Sequence, residues 1–201
     1  MKAIKIIAIA LGLSVSVFTL ATDKSAIQAE LEAMLDSDQK HRAAIIAAIR
    51  EHGNDHPSVK ALWEKQIPID KHNAARLEEI VSEYGWPRKT DMGEKAAKSA
   101  FLIVQHAPAE TQKKYLPEMR KAAKEGEADL RNLAMLEDRV LVFDGKEQLY
   151  GTQVARSDSG AFNFLPIQDI EELDARREKM NLGPIAEYAE RFGIPSPVKD
   201  K

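Results

Sequence analysis

Apolar residues recur at helical spacing through most of this chain, and charged and amide side chains interrupt the stripes they form. Ile27, Leu31, Met34, Ile45 and Ile49 step along one face, and Asp38 and Arg42 fall on that same face. Gln66, Asp70 and Asn73 likewise sit among Val59, Leu62, Leu77 and Ile80, and Gln112 sits beside Tyr115, Leu116 and Met119. Gln105 and His106 close the most apolar helical segment, which runs from Ala96 to Val104, while Asp174 and Arg177 share a face with Ile170 and Leu173. The period commits the chain to packed helices. An unpaired carboxylate or guanidinium on a buried face costs several kcal/mol, so such groups persist when they pair with one another or meet water and a ligand. The pattern therefore predicts either a polar pocket inside a helical domain or a set of closed structural ion pairs.

The spacing predicts a first helix over 25–52, stopped by Gly53-Asn54, and a second from Pro57 to Tyr84 that Pro68 should kink or split. Gly85-Trp86-Pro87 ends it. Helices over 92–106, 110–124 and from Glu127 to the Asp138-Arg139 pair follow. There the period changes: Val140 to Phe143, Asp144-Gly145, then Lys146 to Tyr150 reads as two short strands around a type I′ turn. The competing reading continues the helix through Phe143. In the hairpin reading Gln148, Tyr150 and Thr152 line one wall, with Gln153 facing away unless the strand breaks, and Gly151 allows a bend or close approach by a ligand. Residues 155–166 read as loop, and helices over 167–181 and 184–192 finish the domain. The expected fold is mainly α: a single helical domain over 22–194 with a short β-hairpin after the central helices, preceded by a signal peptide over 1–21 and followed by a tail over 195–201.

The signal peptide is read from Lys2 and Lys5, an uncharged run from Ile6 to Leu20, and small residues up to Ala21 before Thr22-Asp23-Lys24. A periplasmic or secreted protein, without a stable membrane anchor after cleavage, is expected. The chain has 201 residues, a net charge of −3 and interspersed charges, with no basic stripe to suit nucleic acid. It has no cysteine, which removes disulfides, thiolate metal sites and a thiol nucleophile. His52 and His56 are four apart, but Gly53-Asn54 interrupts the helix that would align them, and no metal, cofactor or phosphate-loop motif is visible, so no metal and no cofactor are expected.

Gly85-Trp86-Pro87, Gln105-His106-Ala107, the Asp138-Arg139 pair within Leu136–Val140, and Gln148 to Gln153 (QLYGTQ) occur in this order. Together with Asp38-Gln39, Arg42 and the 174–177 segment, they resemble a bacterial domain-of-unknown-function family known by its QHA and YGTQ signatures. The resemblance implies a common helical fold and a shared polar site, with no activity attached.

On the residues, the leading expectation is a cofactor-independent hydrolase or lyase. Its substrate is a small polar, peptide or saccharide-like molecule, and His106 is its general acid or base because imidazole titrates near neutrality. Asp138 or Asp70 would orient that ring. Asp38, Arg42, Asn73, Gln105, Gln112, Arg139, Gln148, Tyr150, Thr152, Gln153 and Arg177 are candidates for binding substrate. Two alternatives stand beside it: a non-catalytic binding module using the same pocket, and a structural or interaction protein whose polar residues form closed networks. Oligomeric state is not legible in the sequence.

Overall fold

The structure, a computed structural model, describes residues 14–157 and 161–198, with side chains from Lys24 onward. Its helices are α1 (Ser14–Gln39), α2 (Arg42–His52), α3 (Pro57–Tyr84), α4 (Lys89–His106), α5 (Ala109–Lys124) and α6 (Leu130–Phe143). A two-stranded antiparallel hairpin follows, β1 (Val154–Arg156) and β2 (Phe162–Phe164), with Val154 opposite Phe164. A 3-10 turn at Ile170–Glu172 leads into the short helices α7 (Leu173–Lys179) and α8 (Ile185–Glu190). The domain is mainly helical with one short hairpin after the central helices, as the periodicity predicts. Most of the proposed leader, residues 1–13, lies outside the described residues, and Ala21 falls within the α1 backbone.

Local chemistry accounts for the helix ends. Pro57 occupies the first turn of α3 while the His56 ring accepts from Ser58 N at 3.3 Å, and Asp129 caps α6 by accepting from Arg131 N at 2.8 Å. The core is shared by Leu31 and Met34 of α1, Leu77 and Ile80 of α3, Phe101 and Val104 of α4, Met119 of α5, and Leu133 and Leu136 of α6. The most extensive pairing is α1 with α4. The buried side of α4 carries Ala96, Ser99 and Ala100, small residues that let helix backbones approach closely.

The structure departs from the sequence expectations at three places that matter for the site. The predicted helix over 25–52 breaks at Lys40-His41. Gln66, fully buried in α3, takes up both backbone groups released there: its Nε2 donates to Asp38 O at 3.0 Å and its Oε1 accepts from His41 N at 3.2 Å. Pro68, by contrast, neither splits nor ends α3. Both Pro68 and Glu64, whose carbonyl the proline leaves free, are solvent-exposed, so water can satisfy that carbonyl.

The third departure moves the hairpin. Residues 140–143 continue α6, and Asp144-Gly145 ends it instead of turning a hairpin. Lys146 N reaches Leu141 O at 2.9 Å and Gly145 takes a φ of 69°, the pattern of a Schellman cap. The same left-handed glycine serves a type I′ turn and a helix end, and the apolar side of 133–140 decides in favour of the helix. The observed hairpin occupies the segment read as loop. Gln148, Tyr150 and Thr152 therefore belong to an irregular loop and do not form a strand wall.

Candidate functional site

The C-terminal ends of α1 and α4 meet the middle of α3, and polar side chains gather there. Asp38, in the last turn of α1, is 1% exposed and accepts from His106 Nδ1 at 2.9 and 3.1 Å. Arg42, the first residue of α2, donates to Asp38 at 3.1 and 3.4 Å and to Asp70 Oδ1 at 2.7 Å. Gln66 also donates to Asp70 Oδ1, at 2.7 Å, and Gln39 donates to Asp38 at 2.6 Å. Helix C-termini carry partial negative charge, which suits the cationic and donor groups collected at this end. Burial pushes the Asp38 carboxyl up, but hydrogen bonds from His106 and Arg42, reinforced by their charges, hold it below the usual carboxylate range.

His106 is the last residue of α4, and its position is set by its neighbours. Gln112 of α5 donates to Gln105 O at 3.1 Å and to Ala107 O at 2.9 Å, pinning the α4–α5 turn. The Asp38 contact selects the tautomer with hydrogen on Nδ1 in the neutral ring, leaving Nε2 as the second nitrogen. Nε2 has no partner among the described residues. The ring lines an open pocket of 290 Å³ together with Ile67, Asp70, Lys71, Ala107 and Pro108. A larger groove of 730 Å³ lies toward the opposite end of α4, between Trp86, Phe101 and Arg131. Its Asp129–Arg131 pair belongs to the α6 cap, and no histidine lines it, so of these two cavities His106 borders the smaller.

A second network shapes the loop over 148–153. Asp138, 0% exposed, accepts from the backbone N–H of Leu149 at 2.7 Å, Tyr150 at 3.0 Å and Thr152 at 2.9 Å, and from Thr152 Oγ1 at 2.9 Å. Burial pushes its carboxyl up, and the backbone donors pull the other way. Gln148, fully buried, clamps the loop by donating to Gln153 O and Leu165 O and accepting from Gln153 N. Arg177 donates to Tyr150 O at 2.6 Å and to Gly183 O at 2.7 Å, with its guanidinium over the Tyr188 ring.

Gly151 is closely approached by side chains of the chain itself. It has a φ of 67°, and a Cβ there would stand 2.9 Å from Ile185 Cδ1 and 3.2 Å from Ile167 Cδ1. Gly151→Ala should therefore cost more than Gly145→Ala, which meets only the left-handed backbone penalty of roughly 1–2 kcal/mol. Thermal unfolding of the two variants checks this order.

Arg139 joins the two networks. Its Nη1 donates to Gln105 O at 2.9 Å and its Nε to Gln153 Oε1 at 3.2 Å, while Gln153 turns its amide to Thr152 Oγ1 at 3.0 Å. The other expected residues divide as follows. Asp38, Arg42, Asp70 and His106 form one hydrogen-bonded group. Neither Asp138 nor Asp70 hydrogen-bonds to His106 among the described residues; Asp38 takes the orienting position assigned to them, because Asp138 is consumed by backbone donors and Asp70 by Arg42 and Gln66. Asn73 bonds Met34 O and Ser37 Oγ within the core and does not line the His106 pocket. Tyr150 directs its hydroxyl to Glu137 Oε2 at 3.0 Å, away from His106. Participants outside the expected site residues include Gln39, Gln66 and Tyr188. Gln66 was visible as an amide one turn before Asp70, whereas Tyr188, whose hydroxyl donates to Thr152 O at 2.8 Å, gave no signal beyond its aromatic ring.

No curated protein and no solved structure matches the chain. Residues 25–194, which include both networks and all the helices after the first part of α1, match the family of unknown function DUF6624, and the chain belongs to that family.

Proposed function

We propose that the chain is an exported enzyme of hydrolase or lyase type, acting on a small polar, peptide or saccharide-like substrate with His106 as general acid/base. The observation that carries this reading is the His106–Asp38 pair: a buried carboxylate fixes Nδ1, and the ring borders an open pocket. In such a geometry Nε2 takes a proton from water or substrate and returns it to the leaving group, and Asp38 acts as a positioning residue. Export is supported by the N-terminal pattern of Lys2, Lys5 and the uncharged run to Leu20. The GWP, QHA, DR and YGTQ segments serve in this reading as the family's signature. QHA contributes Gln105 and His106, and the Asp138-Arg139 pair holds the YGTQ loop and braces α4.

A binding module without turnover is the second reading. It is favoured by the saturation of Asp38 and Asp70 with internal donors, which leaves His106 alone for proton transfer. A panel of chromogenic esters, peptide anilides and glycosides, assayed with the wild type and with His106→Gln, separates the two. The expected result is turnover by the wild type that falls on the order of 10²–10⁴-fold in the variant, at an unchanged melting temperature. Equal activity in both proteins, or unfolding of both His106→Gln and His106→Asn, overturns the catalytic reading.

A further inference from the structure

The Gly85-Trp86-Pro87 segment takes no part in the His106 pocket. Gly85, with a φ of 79°, ends α3, and the half-buried indole that follows packs on Tyr115 with ring centroids 5.9 Å apart. The same indole lines the 730 Å³ groove, and its Nε1 has no hydrogen-bond partner among the described residues, although a Trp N–H taken out of bulk water ordinarily finds an acceptor. Glu94, Ala97, Lys98 and Phe101 line that groove too, and their spacing sets them on one face of α4. Phe101 is buried and gives the groove an apolar floor, which the small Ala97 leaves uncovered. Asn132 of α6 and Asn181, just after α7, complete the rim. The backbone of Asn181 is explained by the end of α7, where its φ is 55° and Leu182 N donates to Arg177 O at 3.0 Å. Its side chain is not. Among the described residues the amides of Asn132 and Asn181, the Glu94 carboxylate and the Lys98 ammonium have no hydrogen-bond or ion-pair partner, whereas Asp129 and Arg131 neutralise each other.

We propose that this groove is a saccharide-binding site, in which the C–H face of a sugar ring lies on Trp86 and its hydroxyls meet Glu94, Lys98, Asn132 and Asn181. It shares no lining residue with the His106 pocket and does not depend on the acid/base reading. Its volume falls within the range of roughly 300–1,000 Å³ typical of small-molecule sites. The rim mixes an acceptor-only carboxylate, donor-only ammonium and indole N–H groups, and amides that do both. A hydroxyl donates and accepts, so a ligand fringed with hydroxyls satisfies all three kinds with one functional group. A phosphate dianion offers acceptors alone and meets Glu94 as a like charge, and an aliphatic chain strips water from the rim without replacing its hydrogen bonds. The apolar floor asks in addition for a ligand with a dry face. A pyranose ring has that face of C–H groups together with a border of hydroxyls, which suits an aromatic side chain surrounded by polar ones.

The test uses the full-length chain carrying Trp63→Phe, which leaves Trp86 as its single tryptophan. Cellotriose, chitotriose and maltotriose are each titrated to millimolar concentration while Trp86 emission is followed, and the apolar dye anilinonaphthalene sulfonate is titrated separately. At least one trisaccharide should change the emission saturably. For that saccharide Glu94→Ala should weaken apparent affinity at least about tenfold, as expected when a hydrogen bond to a charged group is removed. Asn181→Gly, which deletes the amide and keeps the left-handed cap, should weaken it about threefold or more. Glu94 and Asn181 are exposed, so both variants should melt close to the parent, and Lys98→Ala, at another exposed rim position, carries the same expectation as a third variant. The proposal is overturned if no trisaccharide changes Trp86 emission saturably, or if the affinity in all three variants equals that of the parent. A saturable response to the dye and to no trisaccharide makes this an apolar docking groove and also defeats it.

Discussion

Asp138→Ala should lower the stability of the domain by roughly 4 kcal/mol or more, because each buried donor left without an acceptor costs about 1–3 kcal/mol. The carboxylate serves three backbone N–H groups and the Thr152 hydroxyl at once, and its own exposure is 0%. Alanine leaves all four donors in a space too tight to hydrate freely. Typical domains are stable by about 5–15 kcal/mol, so such a loss removes a large share of the margin. Asp138→Asn should cost less, since one amide oxygen still accepts, but its NH₂ faces donors and the loop over 149–152 should loosen. Urea denaturation of wild type and both variants measures the ordering. An alanine variant within about 1 kcal/mol of wild type would show that Gln148 and Arg177 hold the loop without Asp138.

The helical architecture was legible because burial follows the 3.6-residue period along long segments such as 57–84 and 109–124, where one apolar side decides the structure. What failed was the reading of punctuation. Asp144-Gly145 looks the same whether it turns a hairpin or caps a helix. The deciding fact, that Leu133, Leu136 and Val140 pack on the shared core, is tertiary. The break at Lys40-His41 was invisible for a related reason: no proline or glycine marks it, and Gln66, 25 positions beyond His41, supplies the bonds that make it affordable. Phe162-Asn163-Phe164 does alternate as a strand should, but it is too short to stand out against a turn-rich background.

The site was legible as a set of residue types on the wrong faces, and much less so as a set of partners. Asp38, Arg42, Asp70 and His106 do converge from α1, α2, α3 and α4. Which carboxylate meets the imidazole depended on how far α1 extends before its break, and a continuous helix would have carried Arg42 elsewhere. The polar residues around 148–153 mark a loop whose amides and carbonyls need partners, so Asp138 and Gln148 are spent on the backbone. A polar residue inside an apolar stripe thus had two meanings here, and the sequence alone did not distinguish them.

Asp38 should be the more consequential carboxylate of the His106 group, in stability and in chemistry together. Removing one partner of a buried ion pair typically costs about 3–5 kcal/mol, and Asp38→Ala leaves Arg42 with Asp70 alone and His106 Nδ1 with no acceptor. Asp38→Asn preserves the shape and isolates the charge. Its folded-state carboxyl lies below the ordinary range, so the stability it contributes is fully present above the unfolded value, about 3.9, and is lost as pH falls through the lower folded value. The wild type should therefore lose stability below about pH 4 more steeply than Asp38→Asn. The difference between the two unfolding curves is the measure, because Glu30 and Asp129, also held low by arginine partners, titrate equally in both proteins. Turnover of any substrate that depends on His106 should fall on the order of 10²-fold or more in Asp38→Asn, through a mis-set tautomer and not through unfolding. Parallel pH–stability curves for the two proteins would show that Asp38 is not ionised against His106 and Arg42 in the folded chain. Unchanged turnover in Asp38→Asn would show that the imidazole is oriented without it, and the dyad would lose its role.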